Sequence, residues 1–298
     1  MKFMYTNGKF HSPEQNNMSS MMQSVNYGTA AFEGMKAYYL EDKKNWYLYR
    51  PEKYYQRLVR STKMLDIDFK VSEKEFIGIV AALIKKNNVK MDTYIRPVVY
   101  RSEKGVGLMR PSDYGLSIFI QSIPFSSANQ YRCCFVSQKR PTDGTFAGKL
   151  TGNYLLSFFS AIEAKKKGYD VGILSSTEGH VSEASIMNLF FAKDGKLFTP
   201  SIDCGPLGGI TRLSVMQLAK EQLGLKVTEG KFKREQLLKA DEIFFTGTGS
   251  GVNFVKQLEK RKFNLARKDQ IALEIARVFD EVTHQKIKKY ADWLVPVK

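Results

Sequence analysis

The sequence predicts a mixed α/β fold (α+β in its detail) in two domains, and three observations lead there. Strand-like runs rich in Tyr, Phe, Ile and Val alternate with amphipathic helical segments along the chain. A small, polar stretch, Ser126-Ser127-Ala128-Asn129-Gln130, breaks that alternation, which then restarts. The length of 298 residues is twice the roughly 150 of an ordinary domain. The expected division is a small α/β domain over 1–125, an interdomain loop over 126–131 and a larger domain over 132–298.

Taken in order, Asn7-Gly8 between Tyr5 and Phe10 signals a hairpin. Trp46 to Arg50 reads as a strand. Pro51 then opens a helix whose stripe is Tyr54, Leu58, Met64 and Leu65. Ser72 is placed to cap a second helix, Glu73 to Lys86. Tyr94 to Tyr100 and Leu116 to Ile120 read as strands, and Pro97 demotes the first to an edge or a bulge. Past the polar break come a strand at Arg132 to Ser137, a helix at Tyr154 to Lys167 and strands at Val171 to Ser175 and Ile186 to Ala192. A helix at Thr211 to Leu223 is expected to bury Leu213, Met216, Leu218 and Leu223. A strand at Asp241 to Thr246 and a long helix from Gln270 to Tyr290 complete the reading. No internal repeat or low-complexity tract interrupts it.

Composition narrows the class. Hydrophobic residues make up 43% and charged residues 26%, an ordinary globular balance that excludes disordered, collagen-like and coiled-coil chains. The three cysteines form no Cys-x-x-Cys pattern, and His11, His180 and His284 are far apart, so no metal site is expected. No apolar run reaches the ~18 residues of a membrane span, and the first residues do not read as a signal peptide. The expectation is a reduced, cytoplasmic protein with no membrane partner. The net charge of +16 invites a nucleic-acid reading. However, the lysine clusters fall mostly at the ends of helical or strand-like segments, and no recognisable nucleic-acid motif joins them. A solvated surface that attracts anionic metabolites is expected instead.

Several residues are placed for chemistry. Lys149 stands in Ala147-Gly148-Lys149-Leu150-Thr151-Gly152, with no other charge nearby; desolvation there would let its amine shed a proton and act as a Schiff-base partner. The bland alternative is an exposed loop lysine. Glu183, just ahead of the apolar run Leu189-Phe190-Phe191, either caps a turn or holds a cation or a protonated ring nitrogen. Gly208-Gly209-Ile210-Thr211-Arg212 precedes a helix, so its backbone N–H groups and the helix dipole suit an anion. Gly247-Thr248-Gly249-Ser250-Gly251 follows a strand and offers further donors. Neither matches a nucleotide-binding fingerprint, and both could be simple turns. Arg57 is either a surface charge or a phosphate fork.

The order of these features resembles the class IV aminotransferase family, which uses pyridoxal phosphate. The resemblance runs from about Tyr27 to Val255 and is closest to branched-chain amino-acid aminotransferases. Its segments are Tyr27-Gly28-Thr29-Ala30-Ala31-Phe32-Glu33-Gly34, Tyr94-Ile95-Arg96-Pro97, Gly148-Lys149 to Tyr154, Ser182-Glu183 to Phe190, and Gly209-Ile210-Thr211-Arg212. It implies the two-domain fold type IV architecture and transamination of Leu, Ile and Val with 2-oxoglutarate. By that resemblance Lys149 is the Schiff-base lysine and proton shuttle, Glu183 pairs with the pyridine nitrogen, and Tyr154 donates to the phenolic oxygen. Arg57, Ile210, Thr211 and Thr248 hold the phosphate. Tyr94, Gly249 and Ser250 meet the α-carboxylate, Tyr27, Phe32 and Leu108 wall an apolar pocket, and Arg96 with Tyr27 receives glutamate's second carboxylate. The resemblance also implies a homodimer or higher homo-oligomer. Aminodeoxychorismate lyase and D-amino-acid aminotransferase, which use the same lysine and carboxylate, are the alternatives within the family. The remote alternative is a basic nucleic-acid-binding protein, which leaves the ordered motifs unexplained.

Overall fold

The computed structural model of the chain describes residues 1–108, 113–122, 128–144, 147–267 and 269–297. The chain divides into two compact units. The first comprises Met1–Phe125, Gly148–Gly152 and Thr283–Lys298, and the second Ser126–Ala147 and Asn153–Val282. Residues 123–127, which include the first two of the expected interdomain loop, lie outside the described residues, and from Gln130 the expected loop is already strand. The expected unbroken second domain gives way to a chain that returns twice to the first unit. The reason for the first return is a set of main-chain bonds: Phe32 N donates to Lys149 O at 3.0 Å and Thr151 N to Ala30 O at 2.8 Å.

The first unit is built on an eight-stranded sheet. Its strands are β1 (Met4–Thr6), β2 (Lys9–His11), β3 (Ala30–Phe32), β4 (Met35–Leu40), β5 (Asn45–Tyr49), β6 (Thr93–Arg101), β7 (Tyr114–Gln121) and a C-terminal strand, Leu294–Pro296. Their order is C-terminal strand–β5–β4–β6–β7–β1–β2, with β3 also on β6. The β1–β2 turn is the expected Asn-Gly hairpin, with φ of 47° at Asn7 and 90° at Gly8. Helix α1 (Gln23–Tyr27) ends on Gly28. Helix α2 (Pro51–Lys63) begins at Pro51 and buries Tyr54, Arg57, Leu58, Ser61 and Thr62; the expected stripe member Met64 is exposed at its end. Helix α3 (Glu73–Asn87) is capped as expected, Ser72 accepting from Glu75 N at 3.3 Å.

Pro97 is not on an edge. It lies within β6, between β7 and the β3–β4 side, at the gap between β3 and β4. The register is the same either side of that gap, Phe32↔Val98 and Met35↔Ile95. Glu33 N donates to Pro97 O at 2.9 Å, but proline has no N–H to return the bond. The ladder opens there, at Glu33-Gly34.

The second unit holds a nine-stranded mixed sheet. Its elements are β8 (Gln130–Arg140), α4 (Tyr154–Lys166), β9 (Val171–Ser176), β10 (Val181–Ala184), β11 (Asn188–Lys193), β12 (Lys196–Pro200), α5 (Ile210–Leu223), β13 (Val227–Gly230), α6 (Arg234–Leu238), β14 (Glu242–Gly247), β15 (Gly251–Leu258), β16 (Arg261–Lys262) and α7 (Ile271–Thr283). The strand order is β10–β9–β8–β15–β14–β11–β12–β13, with β16 on β15. Helix α4 is the crossover between the parallel pair β8 and β9. Cys133 and Phe135 enter one core and Cys134 and Val136 another, so the two neighbouring cysteines point to opposite faces and stay free.

Two expectations fail here. Helix α5 buries Thr211, Ser214, Val215, Leu218 and Ala219, while Leu213 is 50% exposed. The true face follows i, i+3, i+4, i+7, i+8 from Thr211, a stripe partly polar and therefore invisible to a count of apolar residues. Helix α7 stops at Thr283, and Gln285 adopts a left-handed φ of 56° before a short 3₁₀ turn at Lys288–Trp293. The lysine clusters Lys85-Lys86 and Lys165-Lys166 occupy the last turns of α3 and α4, where cations complement the helix dipole.

Candidate active site

In the first unit, Lys149 is pinned by its main chain. Its N–H donates to Ser61 Oγ on α2 at 3.0 Å, its carbonyl accepts from Phe32, and Leu150 bridges to Ala31. Gly148 fits because any side chain there would press on Met64 Sδ. The Lys149 ammonium lies 4.7 Å from the centre of the Phe32 ring, and the Arg96 guanidinium 4.6 Å from the same ring. Arg96 Nη2 donates to the Tyr94 hydroxyl at 2.7 Å, while its Nε is buried with no acceptor among the described residues. Gly34 leaves the space the Tyr94 hydroxyl fills. Burial pushes the Lys149 amine down to about 8; the Arg57 charge adds to the fall, Glu33 and Tyr94 oppose it, and Arg96 adds a little more.

Arg57 comes from the buried face of α2. Its Nε and Nη2 each lie 2.7 Å from an oxygen of Glu33, a two-pronged ion pair. Glu33 is fully buried and also accepts from Gly34 N at 3.2 Å. Tyr27 and Leu108 have different surroundings. They are 38% and 63% exposed, and neighbouring Gly107 donates to the Tyr27 hydroxyl at 3.3 Å while Gln23 holds the carbonyls of Gly107 and Leu108. Phe32 is buried beside Lys149 instead, so the three expected pocket residues divide into two settings.

In the second unit, Glu183 sits on β10, 3% exposed. Its Oε1 is 2.9 Å from Arg140 Nη2, which also donates to Ser157 Oγ on α4 at 3.1 Å. Its Oε2 accepts from Leu207 N at 3.1 Å and from Asn188 Nδ2 at 3.2 Å. Gly209 precedes α5 in an extended conformation, and no side chain caps that helix end. Ile210 and Thr211 are its first two residues, whose N–H groups have no acceptor within the helix. Tyr154 is half-buried at the first residue of α4. Thr248, Gly249 and Ser250 form the tight turn between β14 and β15, closed by Gly247 opposite Gly251. Buried Asn253 donates to Ser250 Oγ at 2.7 Å.

Each unit therefore gathers its own group: Lys149, Arg57, Phe32, Tyr94 and Arg96 in one, and Glu183 with the turn leading into Ile210 and Thr211 in the other. The sequence reading assigned no role to Glu33, Arg140, Asn188 or Ser61. Glu33 and Asn188 stood within segments singled out on other grounds. Nothing local marks Arg140, a cation at the end of a strand.

The fold that carries these groups is that of a known class. The chain belongs to the class IV aminotransferase family, whose profile matches residues 30–258. Within it, the chain is similar to a probable branched-chain-amino-acid aminotransferase of Aquifex aeolicus, 32% identical over 303 residues covering 100% of this chain and 97% of the relative. The branched-chain aminotransferase of Thermoproteus uzoniensis, solved with norvaline, superposes with a TM-score of 0.92 at 32% identity over 99% of both chains. That of Thermobaculum terrenum, solved in its PLP-bound holo-form, gives 0.92 at 25% identity over 100% of this chain and 98% of the other.

Proposed function

We propose that this chain is a pyridoxal-phosphate-dependent branched-chain-amino-acid aminotransferase. It moves the amino group of leucine, isoleucine or valine to 2-oxoglutarate, giving branched 2-oxo acids and L-glutamate. The observation that carries this reading is the placement of Lys149, pinned by its main chain to Ser61 and Phe32 with its amine over the Phe32 ring, where desolvation brings it to about 8. At pH 7 roughly one molecule in ten then carries a neutral, nucleophilic amine, against fewer than one in a thousand for an ordinary lysine.

The donor set fits the cofactor. A desolvated amine on half-buried Lys149 suits an aldehyde, the buried Glu183 carboxylate suits a protonated ring nitrogen, and an uncapped helix start after two glycines suits a phosphate dianion. When bound, pyridoxal phosphate supplies an electron sink that makes the substrate Cα proton removable. Lys149 Nζ takes and returns that proton. Glu183, held by Arg140, would pair with the protonated ring nitrogen. Tyr154 donates to the phenolic oxygen. The backbone of Ile210 and Thr211, Thr248 and Arg57 hold the phosphate.

On the substrate side, Tyr94 with the Gly249-Ser250 turn orients the α-carboxylate. Arg96, whose buried Nε lacks an acceptor among the described residues, receives the second carboxylate of glutamate together with Tyr27. Phe32, beside Lys149, contacts the aliphatic side chain; Tyr27 and Leu108, the other two expected wall residues, stand in the separate exposed setting described above. Two further parts of the reading concern the molecule's setting. The exposed apolar residues Met21, Val25, Tyr27, Val106 and Leu108 lie on segments joined by the Gly105 N to Met21 O bond, and such a patch supports a homodimer. Three buried, unbridged cysteines support a cytoplasmic location. Among the described residues no helix is long and apolar enough to cross a membrane.

The test is the visible spectrum of the purified chain with pyridoxal phosphate, before and after L-leucine, L-glutamate and D-alanine. Conversion of the cofactor to its amine form by both L-amino acids is expected. Bleaching by D-alanine alone would transfer the chain to another branch of the family, and pyruvate release from aminodeoxychorismate would mark the lyase.

A further inference from the structure

We propose that Asn188 is a positioning residue that locks the Glu183 carboxylate and the Gly208–Thr211 turn into one register, fixing the distance between the two ends of the cofactor held by this unit. The proposal rests on the functional reading above. Asn188 is the first residue of β11, and its backbone is set by pairing with Thr246 on β14. Its side chain is buried, and Nδ2 splits two donors: one to Glu183 Oε2 at 3.2 Å, the other to Leu207 O at 2.8 Å. Leu207 N returns a bond to the same Glu183 oxygen at 3.1 Å, closing a ring of three residues.

The loop needs that ring. The segment Gly205-Pro206-Leu207-Gly208-Gly209 contains three glycines, whose conformational freedom would leave the start of α5 loosely placed. Both main-chain polar groups of Leu207 are spoken for by Asn188 and Glu183. On its other side the Asn188 amide oxygen packs so closely on Gly209 that a methyl group there would collide with it. The two acceptors, a carboxylate and a carbonyl, require a short neutral side chain with two N–H donors on one atom. Asparagine supplies that; aspartate would set two carboxylates against each other.

The experiment uses the full chain, stripped of cofactor and reloaded, as wild type, Asn188→Asp, Asn188→Ala and Gly209→Ala. Affinities for pyridoxal phosphate and for pyridoxal are measured, together with the ¹⁵N shift of the ring nitrogen of bound, labelled pyridoxal phosphate. The Asn188 variants are expected to lose about 10- to 100-fold in pyridoxal phosphate affinity, the scale of a broken buried hydrogen-bond ring. They should lose less for pyridoxal, and the ring nitrogen should shift toward its neutral value. Gly209→Ala should show the phosphate-side loss, and that loss should shrink when combined with Asn188→Ala. If neither Asn188 variant folds, a Gly209→Ala variant with the wild-type affinity ratio and ¹⁵N shift refutes the proposal. Asn188 variants that only melt earlier, with ratio and shift unchanged, refute it too. Should the wild type take up no pyridoxal phosphate, the functional reading falls and this proposal with it.

Discussion

Two buried arginine–glutamate pairs, one in each unit, have the same composition and opposite designs. Glu33 is gripped by Arg57 at both oxygens, 2.7 Å each, with one main-chain donor besides. Glu183 meets Arg140 at one oxygen only, and its other oxygen is shared by Leu207 N and Asn188. In the first pair the glutamate grips the arginine, the group proposed above for the phosphate; in the second the arginine holds the glutamate. The first pair also stands beside an amine it perturbs, that of Lys149. The first unit is therefore built to unsettle a proton and the second to hold a charge still.

The largest expected effects test the two ends of that contrast directly. Lys149→Ala should abolish transamination, a fall of at least the roughly 10²- to 10⁴-fold attributed to a general base, with the fold kept. A variant still turning over leucine would sink the assignment. Glu183→Gln should lower the rate about 10²- to 10³-fold with pyridoxal phosphate still bound, because the ring nitrogen loses its ionic partner. An unchanged rate in a steady-state assay would remove Glu183 from the mechanism.

A smaller effect separates the pairs by stability. Glu33→Gln leaves the Arg57 guanidinium buried beside Lys149 without its counter-charge, a loss on the order of 3–5 kcal/mol. Arg140→Met leaves the Glu183 carboxylate two of its donors, so urea unfolding should show a smaller loss. Equal losses would mean that the difference in coordination carries no energetic weight.

How legible this was from the sequence depended on whether the cause was local. The β1–β2 hairpin, the start of α2 and the cap of α3 follow from Asn7-Gly8, Pro51 and Ser72, each acting within a turn or two. Lys149 and Glu183 stand out through the motifs around them, Arg57 only by its place on a helix. The return of Lys149 to the first unit does not, because Ala30 and Phe32, far earlier in the chain, cause it through main-chain bonds. Arg140 was hidden for the same reason: its meaning depends on the pairing of β8 with β9, which brings its strand near Glu183. The buried face of α5 was misread because Arg212 and Ser214 are buried there through specific partners, Arg212 Nη2 with Pro200 O at 3.0 Å and Ser214 Oγ with Ile210 O at 2.9 Å, rather than through hydrophobicity.

The last contrast concerns pH. The unfolded chain carries the Lys149 amine at its ordinary value of 10.5, and the cofactor-free folded chain at about 8. Below pH 8 both states are protonated and the folded state bears the whole cost of the buried charge, about 3 kcal/mol at 1.36 kcal/mol per unit. Between about 8 and 10.5 the unfolded chain binds the extra proton, so stability rises with pH; above that range the cost has gone. Lys149→Met should therefore be more stable than the cofactor-free wild type at pH 7, with the gap closing toward pH 10.5. Urea unfolding of both chains at about pH 7 and pH 10 reads this as a difference of differences, from which the other titrating groups cancel. Parallel behaviour at the two pH values would mean that the amine is solvated when the cofactor is absent. The first unit would then be as settled as the second, and the contrast between them would vanish.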